Sequence, residues 1–297
     1  MSDVTLQNGP VTAEVKGRSL WANARHRFLK NKAAVVGLVV LVLVAVACFG
    51  APYLGLRPQD DINWDMIQSP PDFEQGYYFG TDSNGRDVFV RTLYGGQVSL
   101  TVGIVSTFVS LIIGTIYGAT AGFLGGRADG IMMRIVDMLY SIPFIFFVIL
   151  LTVFFGRKFV LIYVAIGAVN WLDMARIVRG QTLSIKRKEY IEAAHASGVS
   201  SWRIITRHII PNCLGPVVVY MTLTVPVVIL TESFISFLGM GVQEPQSSWG
   251  TLVAEGADNL EIAPWQVLGP GAVLAITLLA LNFVGDGLRD ALDPKDR

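Results

Sequence analysis

The chain has 297 residues, 52% of them hydrophobic and 15% charged, with a mean hydropathy of +0.52. Soluble domains carry about 25% charged residues, so the shortfall points to lipid around much of the surface. Basic and acidic residues balance at 23 each, which gives no reason to expect a nucleic-acid partner. Cys48 and Cys213 lie far apart in or beside apolar runs, and His26, His195 and His208 are scattered, so neither a disulfide nor a metal site is expected.

The first 32 residues are polar, and a cleavable secretion signal is not expected there. Within this 1–32 segment, "RSLWANARHRFLKNK" places Leu20, Trp21, Ala24 and Phe28 near one helical face, with bases around much of the rest. That pattern suits a helix lying in the cytoplasmic interface, although an ordinary basic flank would look similar. Crossing a bilayer takes about 20 apolar residues. Six segments qualify as transmembrane helices: 33–56, 98–126, 138–156, 159–175, 209–238 and 262–285. The fourth is short and carries Asp173 near its end. The chain thus divides into the 1–32 segment, a first span over 33–56, an outer loop over 57–97 and a five-span core over 98–297.

Orientation follows from the loop bases. Lys16, Arg18, Arg25, Arg27, Lys30 and Lys32 precede the first span, and Arg176, Arg179, Lys186, Arg187, Lys188, Arg203 and Arg207 follow the fourth. The loop over 239–264 has no Lys or Arg. The 57–97 loop holds Asp60, Asp61, Asp65, Asp72, Glu74, Asp82 and Asp87 against Arg57, Arg86 and Arg91. Both termini are therefore expected in the cytoplasm of a multi-pass inner-membrane protein, with Arg157 and Lys158 as a local exception. "DSNGRD" (82–87) reads as a turn leading into the second span, since its glycine comes too early for a calcium loop.

Gly114, Gly118, Gly122 and Gly126 recur every fourth residue and predict a smooth face for close helix packing. Pro143, Pro216, Pro226 and Pro270 favour kinks. Ionisable groups in or near spans are Arg134, Asp137, Asp173, Arg176, Glu232 and Asp286. Glu232 follows a long charge-free run and is either a buried functional carboxylate or a water-bathed group at the outer interface. With Asn170 and Ser141 it is a candidate for lining a translocation path.

The loop after the fourth span is unusually organised. "KRKEYIEAAHAS" has no Gly or Pro and reads as helix. Gly198 permits a sharp turn, and "SSWRIITRHII" predicts a second short helix capped by Ser200 or Ser201. Pro211 is placed to start the fifth span. Ala193 and Ala194 offer a small surface that another protein can approach closely.

Glu192-Ala193-Ala194, Gly198 and the His208-Ile209-Ile210-Pro211-Asn212 run resemble the cytoplasmic loop of permease subunits in binding-protein-dependent ABC importers. The stretches "FGTDSNGRDVFVRTLYGGQVSL" (79–100), "ISFLGMGVQEPQSSWGTLV" (235–253) and "GDGLRDALDPKDR" (285–297) are similar to C-type permeases of the dipeptide, oligopeptide and nickel branch. "GRSLW" (17–21) and the "DPKDR" end are most similar to its oligopeptide members. The resemblance implies an all-α integral membrane protein with six transmembrane helices, the type I ABC importer permease fold and cytoplasmic coupling helices. It also implies a homologous B-type permease, two ATPase subunits and a peptide-binding protein as partners in the bilayer. ATP and magnesium would then belong to the ATPases, and this chain would bind no cofactor and catalyse no reaction. Glu192, Ala193, Ala194, Gly198 and Pro211 would couple to the ATPases, and "GVQEPQSSWGTLV" would meet the binding protein or else cap the permease itself.

The residues agree on one absence: no G-x-x-x-x-G-K-[ST] loop and no Gly-Lys dipeptide occur. An ion-coupled secondary transporter would need midplane carboxylates and often a repeat, and Glu232 alone is thin support. Against an intramembrane enzyme, the sequence has no H-E-x-x-H and no G-x-S-x-G, and no Ser–His pairing stands out. A dipeptide or nickel substrate remains an alternative within the same branch.

Overall fold

The computed structural model describes residues 20–156 and 159–292. Residues 1–19, Arg157, Lys158 and 293–297 lie outside the described residues, as do the side chains of Leu20 and Trp21. With them go Lys16, Arg18, most of the leading "GRSLW" motif and the "DPKDR" end. The apolar runs become helices: α1 (Leu20–Lys30), α2 (Lys32–Gly50), α3 (Val88–Leu124), α4 (Gly126–Tyr140), α5 (Phe144–Phe155) and α6 (Phe159–Ile185). Then come α7 (Glu189–Ala196), α8 (Ser201–Ile204), α9 (Ile210–Phe237), α10 (Trp249–Ala257) and α11 (Trp265–Leu292). Among the described residues there is no strand, only the isolated bridges Asp72–Tyr77 and Thr81–Asp87.

Among the described residues, four stretches are long and apolar enough to cross a membrane: Lys32–Tyr53, Val88–Leu124, Ser201–Phe237 and Trp265–Leu292. The expected third span, 138–156, is not one helix. Pro143 cannot donate a backbone hydrogen bond and disfavours helix in the residue before it. So α4 stops at Tyr140, and α5 leaves at 77° to it. At 12 residues α5 is about 18 Å long, short of a bilayer core; counted with α4 as one broken span, it makes five.

The second span starts well before Val98, which shortens the loop expected over 57–97. Asp87 caps α3, its carboxylate accepting from the N–H groups of Phe89 (2.9 Å) and Val90 (3.2 Å). Arg91 can sit inside this helix, 1% exposed, because it is paired. Its guanidinium donates to Asp82 (2.6 Å) and to both oxygens of Glu255 on α10 (2.6 and 3.2 Å). Arg86 joins through Asp82 (2.7 Å) and Glu244 (2.9 Å). Burial opposes the Arg86 charge, but Asp82 and Glu244 outweigh it and hold the guanidinium above its usual range. Burial also raises the Asp87 carboxyl, against the Val90 and Phe89 N–H groups and Arg57.

This network fastens one end of the bundle. Trp249 is fully buried and donates from Nε1 to the Thr92 carbonyl (3.0 Å), while Gln266 at the start of α11 donates to the Thr81 carbonyl (3.0 Å). Trp249 lies within "GVQEPQSSWGTLV", so this part of the stretch packs on the permease itself, one of the two expected arrangements. The opposite end carries the start of α2, α1 and the α6–α9 loop. Ala24 of α1 is buried and Phe28 half-buried beside Gly287 of α11, so the apolar face of α1 rests at least partly on protein.

The longest contact in the bundle is α3 along α6. A Cβ at Gly114 would lie 2.6 Å from Met174 Cβ, one at Gly118 would strike the Ala175 carbonyl, and one at Gly122 would lie 2.8 Å from Thr182 Cβ. Gly126, expected on the same face, stands apart from it. It begins α4 at φ 55°, and a Cβ there would meet nothing within 4 Å.

Gly118→Ala should therefore force two backbones apart and lower stability by about 1–3 kcal/mol. A Gly126→Asn change, which tolerates the left-handed backbone, should cost well under that. Thermal unfolding of the purified protein in detergent measures both, and equal losses would mean that Gly118 is not a packing contact.

Candidate functional site

The loop between α6 and α9 is built by three local devices. The first is an anchor. Lys186 donates to the carbonyl of Gly122 (2.8 Å), in the last turn of α3, where a cation also meets the negative end of the helix dipole. Arg179 adds a two-pronged ion pair to Asp129 of α4 (2.6 Å for each bond), and Arg176 pairs with Asp137 (2.8 Å).

The second device ends α7. Gly198 adopts φ 77°. Its N–H donates to the His195 carbonyl (3.0 Å), and the N–H of Val199 donates to that of Ala194 (3.1 Å). This is a Schellman turn, which needs a left-handed residue at the glycine position and an apolar contact across it. Val199 and Ala194 supply that contact, packed on a cluster formed by Ile191, Ile204, Ile205 and Ile209 with Val178 and Ala119. Glu189 and Glu192 in the first turn of α7 suit its N-terminal dipole.

The third device is a widened helical turn. Ser200 precedes α8 but makes no side-chain cap. From Ser201 the chain runs without a break into the fifth span, through a π-helical segment at Ile205–Ile209. Pro211 thus stands in the first turn of α9, as expected, but the helical path reaches it unbroken from α8. Lacking an N–H, Pro211 cannot bond the carbonyl four residues back. The turn widens instead: Ile210 N–H reaches the Ile205 carbonyl, and Asn212 Nδ2 donates to that of His208 (2.6 Å).

The outcome is a surface held from behind. Glu192, Ala193, His195, Ala196, Ser197 and Gly198 are exposed, followed by Trp202 (59% exposed), Arg203 and Arg207. Ala194, expected beside Ala193 on the contact surface, is half-buried and serves the turn. Pro211 is exposed. The surface can bind a partner by shape and charge; among the described residues no group of His, Cys, Asp or Glu could hold a metal ion.

The path candidates do not converge. Glu232 is 0% exposed in the isolated chain, so it neither faces outer water nor lines an open path. Ser99 of α3 donates to one carboxylate oxygen (3.0 Å) and Ser236 to the other (2.6 Å). The N–H of Trp249 donates to Ser99 (3.2 Å), so the carboxylate ties α9 and α10 to α3. Asn170 is half-buried and donates to the Ile166 carbonyl within its own helix (2.9 Å). Ser141 is exposed at the α4–α5 break and donates to the Met138 carbonyl (2.7 Å). Sequence reasoning missed Lys186, counted only as a loop base, and Ser99, whose partner lies on another helix.

Glu232→Ala should strand the Ser99 and Ser236 hydroxyls and lower stability by roughly 2 kcal/mol. Glu232→Gln keeps acceptor and shape and should lose less. Thermal unfolding of both variants decides the point; identical losses would show that these hydrogen bonds do not hold α10.

Residues 112–297 match the family model described as binding-protein-dependent transport system inner membrane component. Residues 19–71 match the N-terminal TM domain of oligopeptide transport permease C. The chain is 58% identical over 293 residues to the oligopeptide transport system permease protein OppC of Escherichia coli K12, covering 99% of this chain and 97% of that protein. It is 44% identical to OppC of Bacillus subtilis over 282 residues, 95% of this chain and 92% of that one. The dipeptide transport system permease protein DppC of Bacillus subtilis is 43% identical over 278 residues, 93% and 86% of the two chains. Similarity of this extent, over a helical bundle with these apolar spans, shows that the chain belongs to the family of binding-protein-dependent transport system inner membrane components.

Proposed function

We propose that this chain is one of two membrane-spanning subunits of an ATP-driven importer for oligopeptides. The observation that carries the reading is the α7–Gly198–α8 surface, backed by the apolar cluster on α3 and α6 and exposed on the side away from it. In this reading a homologous permease completes the path, two ATPase subunits hold ATP and magnesium, and a binding protein delivers peptide. Closure of the ATPases pushes on Glu192, Ala193 and Trp202. The push passes through the Ile191–Ile204–Ile209 cluster to α6 and α9, and the two permeases rock from inward-facing to outward-facing. The chain transmits force and makes no bond.

The same reading takes α6 and the α4–α5 pair as spans, giving six, with α1, α7 and the C-terminal end in the cytoplasm. Among the described residues, three bases sit at the acidic, outer end against the positive-inside pattern, and each is occupied. Arg86 and Arg91 are paired with carboxylates, and Arg57 stacks over Tyr77 at 4.1 Å while donating to the Gln75 carbonyl (2.8 Å). A dipeptide substrate is the second reading. It is favoured by the near-equal identities to the two Bacillus subtilis proteins, 44% and 43%, whereas the 58% relative favours oligopeptides.

The test is uptake of labelled di-, tri- and tetrapeptides by cells whose own copy of the gene is deleted, supplied with wild type or variants. Wild type should restore tetrapeptide uptake. Gly198→Leu, which strains a left-handed turn by about 1–2 kcal/mol without a steric clash, should insert normally yet lower uptake at least tenfold. Gly198→Asn should retain most uptake. Normal uptake by Gly198→Leu would contradict the coupling role, and restoration of dipeptide uptake alone would favour the second reading.

A further inference from the structure

The corner where α1 meets α2 carries a charge pattern that the transport reading leaves unused. The α1 helix contains no acidic residue. It ends at Asn31, which adopts an extended backbone and caps α2 by accepting from the Ala34 N–H (3.2 Å). Around this corner Arg25, Lys30 and Lys32 are exposed, with His26 beside them. The nearby end of α11 contributes Arg289 and the carboxylates of Asp286 and Asp290, so bases remain in excess.

The apolar surface continues directly from this corner. Leu29, between the bases, is 56% exposed. Val36, Val39, Leu43 and Val46 follow on α2, 60%, 52%, 64% and 65% exposed, at the spacing of a single helical stripe. The opposite side of α2 is filled by α11: a Cβ at Gly37 would come within 2.8 Å of the Ala280 carbonyl, and Gly287 abuts Ala34. Among the described residues, the outward stripe therefore has no partner. An anionic head joined to an apolar tail is what a basic corner joined to an apolar stripe complements. Each Lys or Arg held near the membrane surface attracts acidic lipid at about 1 kcal/mol.

We infer that the α1–α2 corner is a binding site for acidic phospholipid, with the headgroup on Arg25, Lys30 and Lys32 and the acyl chains along Val36, Val39, Leu43 and Val46. The inference rests on the reading that α1 lies at the cytoplasmic face, where such lipid would be the inner leaflet's.

The test uses the assembled importer, delipidated in detergent and titrated with phosphatidylglycerol or phosphatidylcholine, with bound lipid counted by native mass spectrometry. The triple variant Arg25→Gln/Lys30→Gln/Lys32→Gln changes only exposed side chains. It should lose at least about fivefold in phosphatidylglycerol affinity, with phosphatidylcholine unchanged. The charge-keeping variant Arg25→Lys should bind as wild type does. High salt should weaken the wild-type preference. Unchanged phosphatidylglycerol binding, or equal loss for both lipids, overturns the site. Loss of another subunit from the triple variant, with lipid binding intact, assigns the corner to a protein partner instead. Labelling of Leu29→Cys by a membrane-impermeant maleimide in vesicles of each orientation separates the two claims. Labelling from the outer side refutes the orientation, while the lipid contrast still decides the site.

Discussion

Between Gly114 and Gly122, α3 turns its glycines to Met174, Ala175 and Thr182 of α6, most closely at Gly118, where the Ala175 carbonyl takes the place of a side chain. In lipid there is no hydrophobic force to press helices together, so association depends on this kind of close backbone approach. The remainder of the loop's architecture follows from it. The contact brings the end of α3 within reach of Lys186, and the face next to it forms the floor on which Ile191, Ile204 and Ile209 rest. A side chain at Gly118 would displace α6 and, with it, the loop that α6 carries.

The buried charges obey one constraint, that ions are kept away from water only where partners replace it. At the α10 end of the bundle Arg91 is almost fully buried yet shared between Asp82 and Glu255. At the opposite end the buried Asp129 is clasped by Arg179, which is itself partly exposed. Glu232 has hydroxyl partners on two helices in place of a cation. These groups hold helices in register at both ends of the bundle, which leaves the exposed loop free to serve a partner.

Much of this was legible in the sequence because it is written in local pattern. The apolar runs marked α2, α9 and α11, the four-residue glycine spacing marked the α3 face, and Gly198 between two helix-forming stretches marked the turn. What escaped depends on residues far apart in the chain. Arg91 and Gly95-Gly96 look like loop until Asp82, Glu255 and Trp249 are placed around them. Glu232 is near a span end and looks hydrated until α10 folds over it. Pro143 announced a break but not that α5 would leave at 77°. Pro211 marked the start of α9, but the π-helical turn that joins it to α8 has no sequence signature of its own.

The central claim is that the α7–α8 surface is a docking face for an ATPase that this chain does not contain. Its most direct test is to place a cysteine at exposed Ala193, extract the tagged protein gently from its native membrane, and apply a short bifunctional cross-linker. The account predicts that ATPase subunits and a second permease co-purify, that the preparation hydrolyses ATP, and that Ala193→Cys links to an ATPase subunit while Tyr53→Cys, at the opposite end of the bundle, does not. A chain that comes out alone and transports without ATP, or an Ala193→Cys that links to no ATPase in an otherwise active complex, would contradict it.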